Sequence, residues 1–303
     1  TNNGEGKLLN RYEAVDERDE AYYIAGTMKA LKKSGRSYND MAILYRLNAQ
    51  SRILEEMLMK HGIPYKIYGG LKFYARKEIK DVIALLRVVQ NGNDDISLKR
   101  IINVPKRGIG KTTLDRIEQY AISEDVSMYK IISMINNYPE LSRVSKKLQG
   151  FFNFIENMKV LAARTELVEL IELLIDKSGI VKELETEMTV ESRTRIENIK
   201  EFVSVAREFE LTAEEKPTLE DFLAHISLVA DIDDTEEVGD RVVMMTLHSA
   251  KGLEFPVVFI AGMEEGIFPS YRSSAEEEEL EEERRLCYVG ITRAMEEVYL
   301  TNA

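Results

Sequence analysis

The order of apolar and polar positions divides the chain into an alternating part, a helical part and a second alternating part. The first part holds short β-type runs at 8–15, 41–45 and 65–68, and stretches with apolar residues every three or four positions at 16–33, 49–61 and 76–90. The first pattern predicts strands and the second predicts helices. Alternation of strand and helix favours a mostly parallel, doubly wound sheet.

From residue 96 to about 230 the pattern is helical, and β-type runs nearly vanish. Residues 231–240 are strongly acidic and are predicted to form a linker. After them come predicted strands at 241–247, 256–261 and 297–301, with a predicted helix at 276–291. The simplest architecture is therefore one α/β domain interrupted by an all-helical insertion.

Composition and charge narrow the class of protein. The chain has 303 residues, enough for about two domains, and its 41 basic and 53 acidic side chains leave a net charge of −12. That balance argues against coating nucleic acid by bulk charge, but it leaves room for a local basic groove. One cysteine, Cys287, excludes an intramolecular disulfide, and three histidines argue against a zinc centre.

The ends of the chain also carry information. No signal peptide or long apolar run is visible, so we expect a cytoplasmic protein. The sequence lacks an initiator methionine and stops just after a strand-like run. We therefore expect a piece of a longer protein.

The Gly-Lys-Thr sequence at 110–112 invites comparison with a phosphate-binding P-loop. The full motif needs a glycine where this chain has Pro105, and a strand where the preceding pattern is helical. A better explanation is that Gly108-Ile109-Gly110 turns into a helix whose free N–H groups meet a phosphate, with Arg107 and Lys111 adding charge. A plain helix start with two turn glycines is the alternative.

Other segments combine predicted strand or helix ends with groups suited to nucleotides. Tyr45 and Arg46 close a strand, where a ring can stack on a base and a guanidinium can clamp phosphate, although both residues could be merely structural. Segment 246–255 carries hydroxyls, an imidazole and a carboxylate, which can bond phosphate or sugar. Arg293 follows a predicted helix and can reach charge on a transferred phosphoryl group, unless that helix is only salt-bridged by its own side chains.

Taken together, these segments resemble the second half of superfamily-one DNA helicases of the UvrD/PcrA/Rep type. The matching segments are 44–52 (motif IV), 68–74 with 77–81 (motif IVa), 246–255 with 262–266 (motif V) and 281–294 (motif VI). They cover essentially the whole chain in the family's order.

The resemblance implies an architecture. Residues 1–94 and 239–303 would form the second RecA-like lobe, an α/β parallel sheet of the P-loop NTPase type without its own P-loop. Residues 95–238 would form the inserted helical subdomain. The first RecA-like lobe of the same protein would be the partner, and would bring the Walker motifs and the magnesium ligands.

The resemblance also implies site residues. The ATP-binding set would be Tyr45 on adenine, Arg46 on the γ-phosphate, Gly252, Glu254 on ribose and Arg293 as arginine finger, with Arg46 and Arg293 in catalytic roles. Contacts to single-stranded DNA would come from Thr246, His248, Ser249, Lys72 and Arg76. Contacts to the duplex at a junction would come from Gly108, Ile109, Gly110 and Lys111. The cofactor would be ATP with Mg²⁺.

The implied activity is ATP-driven 3′–5′ translocation and unwinding in DNA repair or replication, which this chain alone could not perform. One alternative is a non-enzymatic DNA-binding module derived from a helicase half, and another is the motor portion of a helicase–nuclease. The set Arg46, Glu254 and Arg293 disfavours the binding module, because a pure binder has no need of ATP-contacting groups.

Overall fold

The computed structural model describes residues 8–233, 239–270, 273 and 277–303, with the side chains of 231–233 left out. The chain forms two compact units, one comprising Thr1–Phe73 with Ile232–Ala303 and the other comprising Tyr74–Asp231. We call them the sheet unit and the helical unit.

The sheet unit is built on six parallel strands in the order β1-β6-β5-β2-β4-β3. The strands are β1 (Asn10–Glu13), β2 (Met41–Tyr45), β3 (Tyr65–Ile67), β4 (Val242–Thr246), β5 (Phe255–Ile260) and β6 (Ala294–Asn302). Tyr45 lies opposite Thr246, and Phe255 lies opposite Ala294. The carboxyl ends of β2 and β4 therefore adjoin, as do the amino ends of β5 and β6.

Helices cover both faces of this sheet. Helices α1 (Glu17–Lys33) and α2 (Ser51–Lys60) pack on the face that holds Met41, Ile43 and Tyr45 of β2. Helix α12 (Glu277–Ile291) packs on the face that holds Ala42 and Leu44. A strand buried on both faces needs a continuous apolar run, which explains the sequence of β2. The predicted α/β fold with a parallel sheet is confirmed.

The helical unit contains helices only, within the residues that the structure describes. They are α3 (Lys77–Gln90), α4 (Asp95–Ile101), α5 (Lys111–Glu124), α6 (Met128–Ser133), α7 (Ser145–Ala162), α8 (Leu167–Ser178), α9 (Ile180–Glu187), α10 (Val190–Thr212) and α11 (Leu219–Asp233). Large side chains such as Phe151, Phe202 and Phe222 are fully buried among them. No helix in the described part of the chain has the length and apolar character needed to cross a membrane.

The boundary between the units differs from the one expected from the sequence. The structure divides the chain after Phe73, whereas the resemblance implied a boundary at residue 94. The reason is α3, which is apolar around most of its circumference and packs against α4, α7, α8 and α10. The acidic linker expected at 231–240 also begins later, because α11 runs to Asp233. Residues 234–238 lie outside the described residues.

Asp240 anchors the segment just before β4 to residues that lie between α1 and β2 or at the end of α1. Its carboxylate accepts hydrogen bonds from Lys32 Nζ, from Ser37 Oγ and, at 2.8 Å, from the amide of Asn39. Partial burial opposes ionisation, but these donors outweigh it and lower the pKa of Asp240 to about 2. This carboxylate therefore joins the start of β4 to the segment between α1 and β2.

We expect Asp240→Asn to destabilise the sheet unit at pH 7 by about 1 kcal/mol, allowing for solvent screening of a partly exposed group. Because the folded pKa is depressed, this stabilisation is complete above the unfolded pKa and is lost as the pH falls toward about 2. Chemical denaturation at a series of pH values measures the difference. Glu265→Gln, which alters an exposed carboxylate of the same unit, should have little effect. A deficit that grows on acidification would contradict the expectation.

Candidate functional site

Arg293 lies just beyond the end of α12, at the amino end of β6. Its Nη1 donates to the Leu253 carbonyl at 3.1 Å, and its Nε donates to the Val289 carbonyl at 3.1 Å. Its own carbonyl accepts from the Phe255 amide at 2.9 Å. Glu254, which is exposed, lies between Leu253 and Phe255, which both hydrogen-bond to Arg293. The structure thus brings Arg293 and Glu254 together.

Two glycines permit this arrangement. A Cβ on Gly290 would lie 2.5 Å from Leu247 Cδ2 and 3.1 Å from Ile260 Cδ1, so glycine lets the last turn of α12 approach the sheet closely. Gly252 has φ +89, a left-handed conformation that turns the chain toward Glu254. The predicted site residue Gly252 therefore shapes the loop beside Arg293.

Arg46 belongs to a second cluster at the carboxyl end of β2. Its Nη2 donates to Glu283 Oε1 at 2.8 Å, and its Nε lies 3.1 and 3.2 Å from the two oxygens of the same carboxylate. Glu283 is 6% exposed and also accepts from Ser273 Oγ at 3.2 Å. Gln50 Oε1 accepts from the Arg46 amide at 3.0 Å, which fixes the backbone. A bidentate, largely buried pair of this kind is strong and directional.

The two arginines bind different groups in the sheet unit. Glu283, the partner of Arg46, and Ile291, the last residue of α12, are separated by about 12 Å of helix at 1.5 Å per residue. Arg46 is therefore bound at the middle of α12, and Arg293 lies just beyond its carboxyl end. The resemblance implied a γ-phosphate contact by Arg46 and an arginine-finger role for Arg293; in the sheet unit Arg46 is bound by a carboxylate, and Arg293 by backbone carbonyls.

Tyr45 is not where the sequence suggested. Its side chain is 0% exposed and lies in the core on the α1 and α2 face, in the cluster that includes Leu54, Met244 and Phe259. The ring follows the alternation of β2 and points to the same face as Met41 and Ile43. It offers no exposed face on which adenine could stack, so the structure does not support that role.

Three of the five residues expected at single-stranded DNA, Thr246, His248 and Ser249, lie together at the carboxyl end of β4. Thr246 Oγ1 and Ser249 Oγ are 2.9 Å apart, and the Ser249 amide donates to Thr246 Oγ1 at 3.3 Å. His248 is exposed beside them. Restricted solvation and the positive charge of Arg46 lower the pKa of His248, which favours the neutral imidazole. Lys72 belongs to the same unit, with Nζ 5.3 Å from the centre of the Tyr65 ring.

Arg76 is placed differently from the expectation. It begins the helical unit, is 7% exposed, and donates from Nη1 to Asn198 Oδ1 at 2.8 Å. Asn198 in turn donates to Glu78 Oε1 at 2.6 Å. Because this guanidinium belongs to a buried polar network, the structure does not support a phosphate contact by Arg76.

The glycine turn before α5 is held from inside. Asn103 Oδ1 accepts from the amides of Arg107 and Ile109 at 2.8 and 3.1 Å. Arg107 Nη1 donates to the carbonyls of 101, 102, 104 and 105 at 2.7–3.3 Å. Its charge therefore faces inward, whereas the sequence analysis expected it to add to a phosphate site. Burial lowers the pKa of Arg107.

The same turn leaves a smaller surface for a ligand than the sequence suggested. The Ile109 side chain is 1% exposed, and its amide is engaged. Gly108 has φ +68, and Gly110 caps α5, whose first N–H groups have no partner within the helix. Lys111 is exposed at the first position of that helix. Gly108, Gly110 and Lys111 therefore remain the candidates.

Sequence reasoning missed Glu283 because it sits in a run of charged residues. Its neighbours Glu281 and Glu282 do form exposed pairs with Arg284 and Arg285, as a salt-bridged helix would. Glu283, however, lies on the buried stripe of α12 with Leu286 and Gly290. That spacing of three and then four residues was the available signal.

Comparison with known proteins agrees with this architecture. The profile of the UvrD-like helicase C-terminal domain matches residues 1–303. Proteins described as ATP-dependent DNA helicase PcrA from Staphylococcus epidermidis and Staphylococcus aureus are 48% and 46% identical over 306 aligned positions. Each alignment covers all of this chain and 42% of the relative's length. The chain belongs to the UvrD-like helicase C-terminal domain family.

Proposed function

We propose that this chain is the second motor lobe and helical insertion of a PcrA-like helicase, which couples ATP hydrolysis to 3′–5′ translocation on single-stranded DNA and to unwinding. The observation that carries the proposal is that Arg293 is hydrogen-bonded to Leu253 and Phe255, the residues on either side of the exposed Glu254, at the adjoining ends of β5 and β6. The PcrA relatives, 46–48% identical over the whole chain, supply the context.

The sheet unit would receive ATP at that pair. Bound with Mg²⁺, ATP supplies the phosphoryl bond whose hydrolysis drives such motors. The Arg293 guanidinium contacts the uncharged oxygens of Leu253, Val289 and Thr292, which orient it without neutralising its charge. An oriented cation suits the negative charge of a phosphate, and the exposed Glu254 carboxylate can accept from ribose hydroxyls. These residues fit a nucleotide, whereas the buried Tyr45 does not.

Arg46 has a different environment in the same proposal. Its charge is balanced by Glu283, so its approach to a phosphate would have to compete with that carboxylate. We assign Arg293 the role of arginine finger and keep Arg46 as a γ-phosphate contact. The Mg²⁺ ligands are assigned to the first RecA-like lobe of the same protein, which we propose as the principal partner.

The DNA contacts follow the exposed polar groups. Thr246, His248, Ser249 and Lys72 would bind single-stranded DNA, and Gly108, Gly110 and Lys111 would touch the duplex at a junction. Hydroxyls, backbone amides and a lysine position a backbone without reading sequence, which suits a motor. The net charge of −12 requires such local contacts in place of a broad basic surface. We place this activity in DNA repair or replication, in the bacterial cytoplasm.

The test is DNA-stimulated ATP hydrolysis by this chain and by the same chain extended upstream with its native coding sequence. A silent chain and an active extended protein would support the proposal, because phosphoryl transfer needs groups that Arg46 and Arg293 do not supply. If both were silent while binding forked DNA, a non-enzymatic binding module would replace it.

A further inference from the structure

A buried carboxylate connects three segments of the sheet unit. Glu55 on α2 is 2% exposed. Its Oε1 accepts from Ser51 Oγ at 2.6 Å, and its Oε2 accepts from Tyr65 Oη at 3.2 Å and from the Phe73 amide at 3.2 Å. A buried carboxylate is costly unless donors satisfy it, so these three bonds fix the positions of Ser51, Tyr65 and Phe73 relative to α2.

Tyr65 and Phe73 flank the segment 66–72, which leads from β3 to the end of the sheet unit. The Tyr68 amide donates to the Met244 carbonyl at 2.8 Å, which holds the segment alongside β4. Gly69 has φ +71, and a Cβ placed on it would lie 3.8 Å from Ser249 Oγ. The segment therefore runs next to the hydroxyl pair of Thr246 and Ser249.

Lys72 is linked to the same carboxylate through Tyr65. Its Nζ lies 5.3 Å from the centre of the Tyr65 ring, within the range of a cation–π contact. The hydroxyl of that ring is bound by Glu55, and the residue after Lys72 donates its amide to Glu55. The buried Glu55 carboxylate therefore fixes the position of Lys72 in two ways, through the Tyr65 ring that the lysine contacts and through the amide of the next residue, Phe73.

We propose that Glu55 is a positioning residue of the DNA-binding surface. It holds Lys72 where the lysine ammonium group contacts the same DNA strand as Thr246 and Ser249. Glu55 does not touch the DNA. The inference rests on the proposed function, since it assumes that these groups bind a single strand. Glu55 would position Lys72 through the Tyr65 ring, which contacts the lysine, and through the Phe73 amide, which follows it.

The test is the salt dependence of binding to a short oligo(dT) by the complete protein, without nucleotide. Counterion release gives a slope of log affinity against log salt of about −0.7 per phosphate contact for single strands. We expect Glu55→Gln to make this slope shallower by about 0.7 and to weaken binding roughly fivefold to tenfold at 50 mM salt. Lys72→Ala should give the same change, and the double variant should add nothing.

Two further variants keep the test decisive. Glu56→Gln removes the same charge from the next residue of α2 and should leave the slope unchanged. Tyr65→Phe keeps the ring but removes the hydroxyl, and should change the slope in the direction of Glu55→Gln even if that variant fails to fold. A purely structural role for Glu55 would lower the melting temperature without altering the slope.

The outcomes separate the inference from the function on which it rests. If the unaltered protein showed no salt-dependent binding to oligo(dT), the proposed function itself would fail. If it bound, but Tyr65→Phe and Glu55→Gln kept its slope, the positioning role alone would be overturned. An unchanged slope in Lys72→Ala would overturn it equally, because there would be no phosphate contact to position.

Discussion

Replacing Arg293 by alanine in the complete protein is expected to reduce DNA-stimulated ATP hydrolysis by at least about 10³-fold, the effect of removing an arginine finger. The guanidinium is already oriented by the carbonyls of Leu253 and Val289, so little reorganisation is needed when charge develops on a phosphoryl group. Steady-state turnover at saturating DNA and ATP measures the loss. Affinity for single-stranded DNA should change less than about twofold, because the Arg293 guanidinium is bound to the carbonyls of Leu253 and Val289 and is not among the residues proposed to contact DNA.

Two comparisons make that result specific. Arg293→Lys keeps a positive charge but loses the fork of donors, so it should recover little of the activity. Arg285→Ala removes an exposed arginine from the same helix and should leave turnover near that of the unaltered protein. Near-normal turnover in Arg293→Ala would remove this residue from the mechanism.

Removing Arg46 should have the largest effect on stability. Arg46→Ala leaves the Glu283 carboxylate, which is 6% exposed, without its bidentate partner. Breaking a largely buried ion pair from one side costs about 2–4 kcal/mol, allowing for the 22% exposure of Arg46. Differential scanning calorimetry of the chain should show the transition of the sheet unit at a lower temperature.

A double-mutant cycle with Glu283→Ala tests whether the pair itself is responsible. The double variant should be more stable than the sum of the single effects predicts, by at least about 1 kcal/mol, because neither charge is then left buried alone. Arg11→Ala, which breaks the exposed pair with Glu13, is the matched control and should cost less than about 1 kcal/mol. Additive single effects would show that Arg46 and Glu283 stabilise the unit independently.

Local patterns predicted the elements of the sheet unit well but did not predict what its charged residues contact. Strand β2 was recognisable because a run buried on both faces must be apolar throughout. For the same reason the sequence could not show that the Tyr45 side chain is buried, since the residues on both faces of β2 are apolar. The Arg46–Glu283 pair joins residues 237 positions apart, so no local spacing could indicate it.

The helical unit shows a related limit. Apolar periodicity indicates that this region is helical, but it does not show which neighbours a helix packs against. Packing groups α3 with the helical unit, whereas the resemblance implied that residues up to 94 belong with the sheet. The direction of Arg107 was equally open, because a guanidinium beside a glycine turn can face a ligand or the turn's own carbonyls. Only the folded turn, held by Asn103, determines that it faces inward.

The order of strands has a consequence for how the protein can be made. Strands β1, β2 and β3 are adjacent in sequence, yet no two of them pair with each other. Every ladder except β5–β6 joins a strand that precedes the helical unit to one that follows it. During synthesis the first three strands must therefore wait, with unpaired edges, until β4 leaves the ribosome. The helical unit, rich in contacts between neighbouring segments, can fold in the interval. A polypeptide truncated inside that unit would carry half the strands of the lobe and none of its sheet.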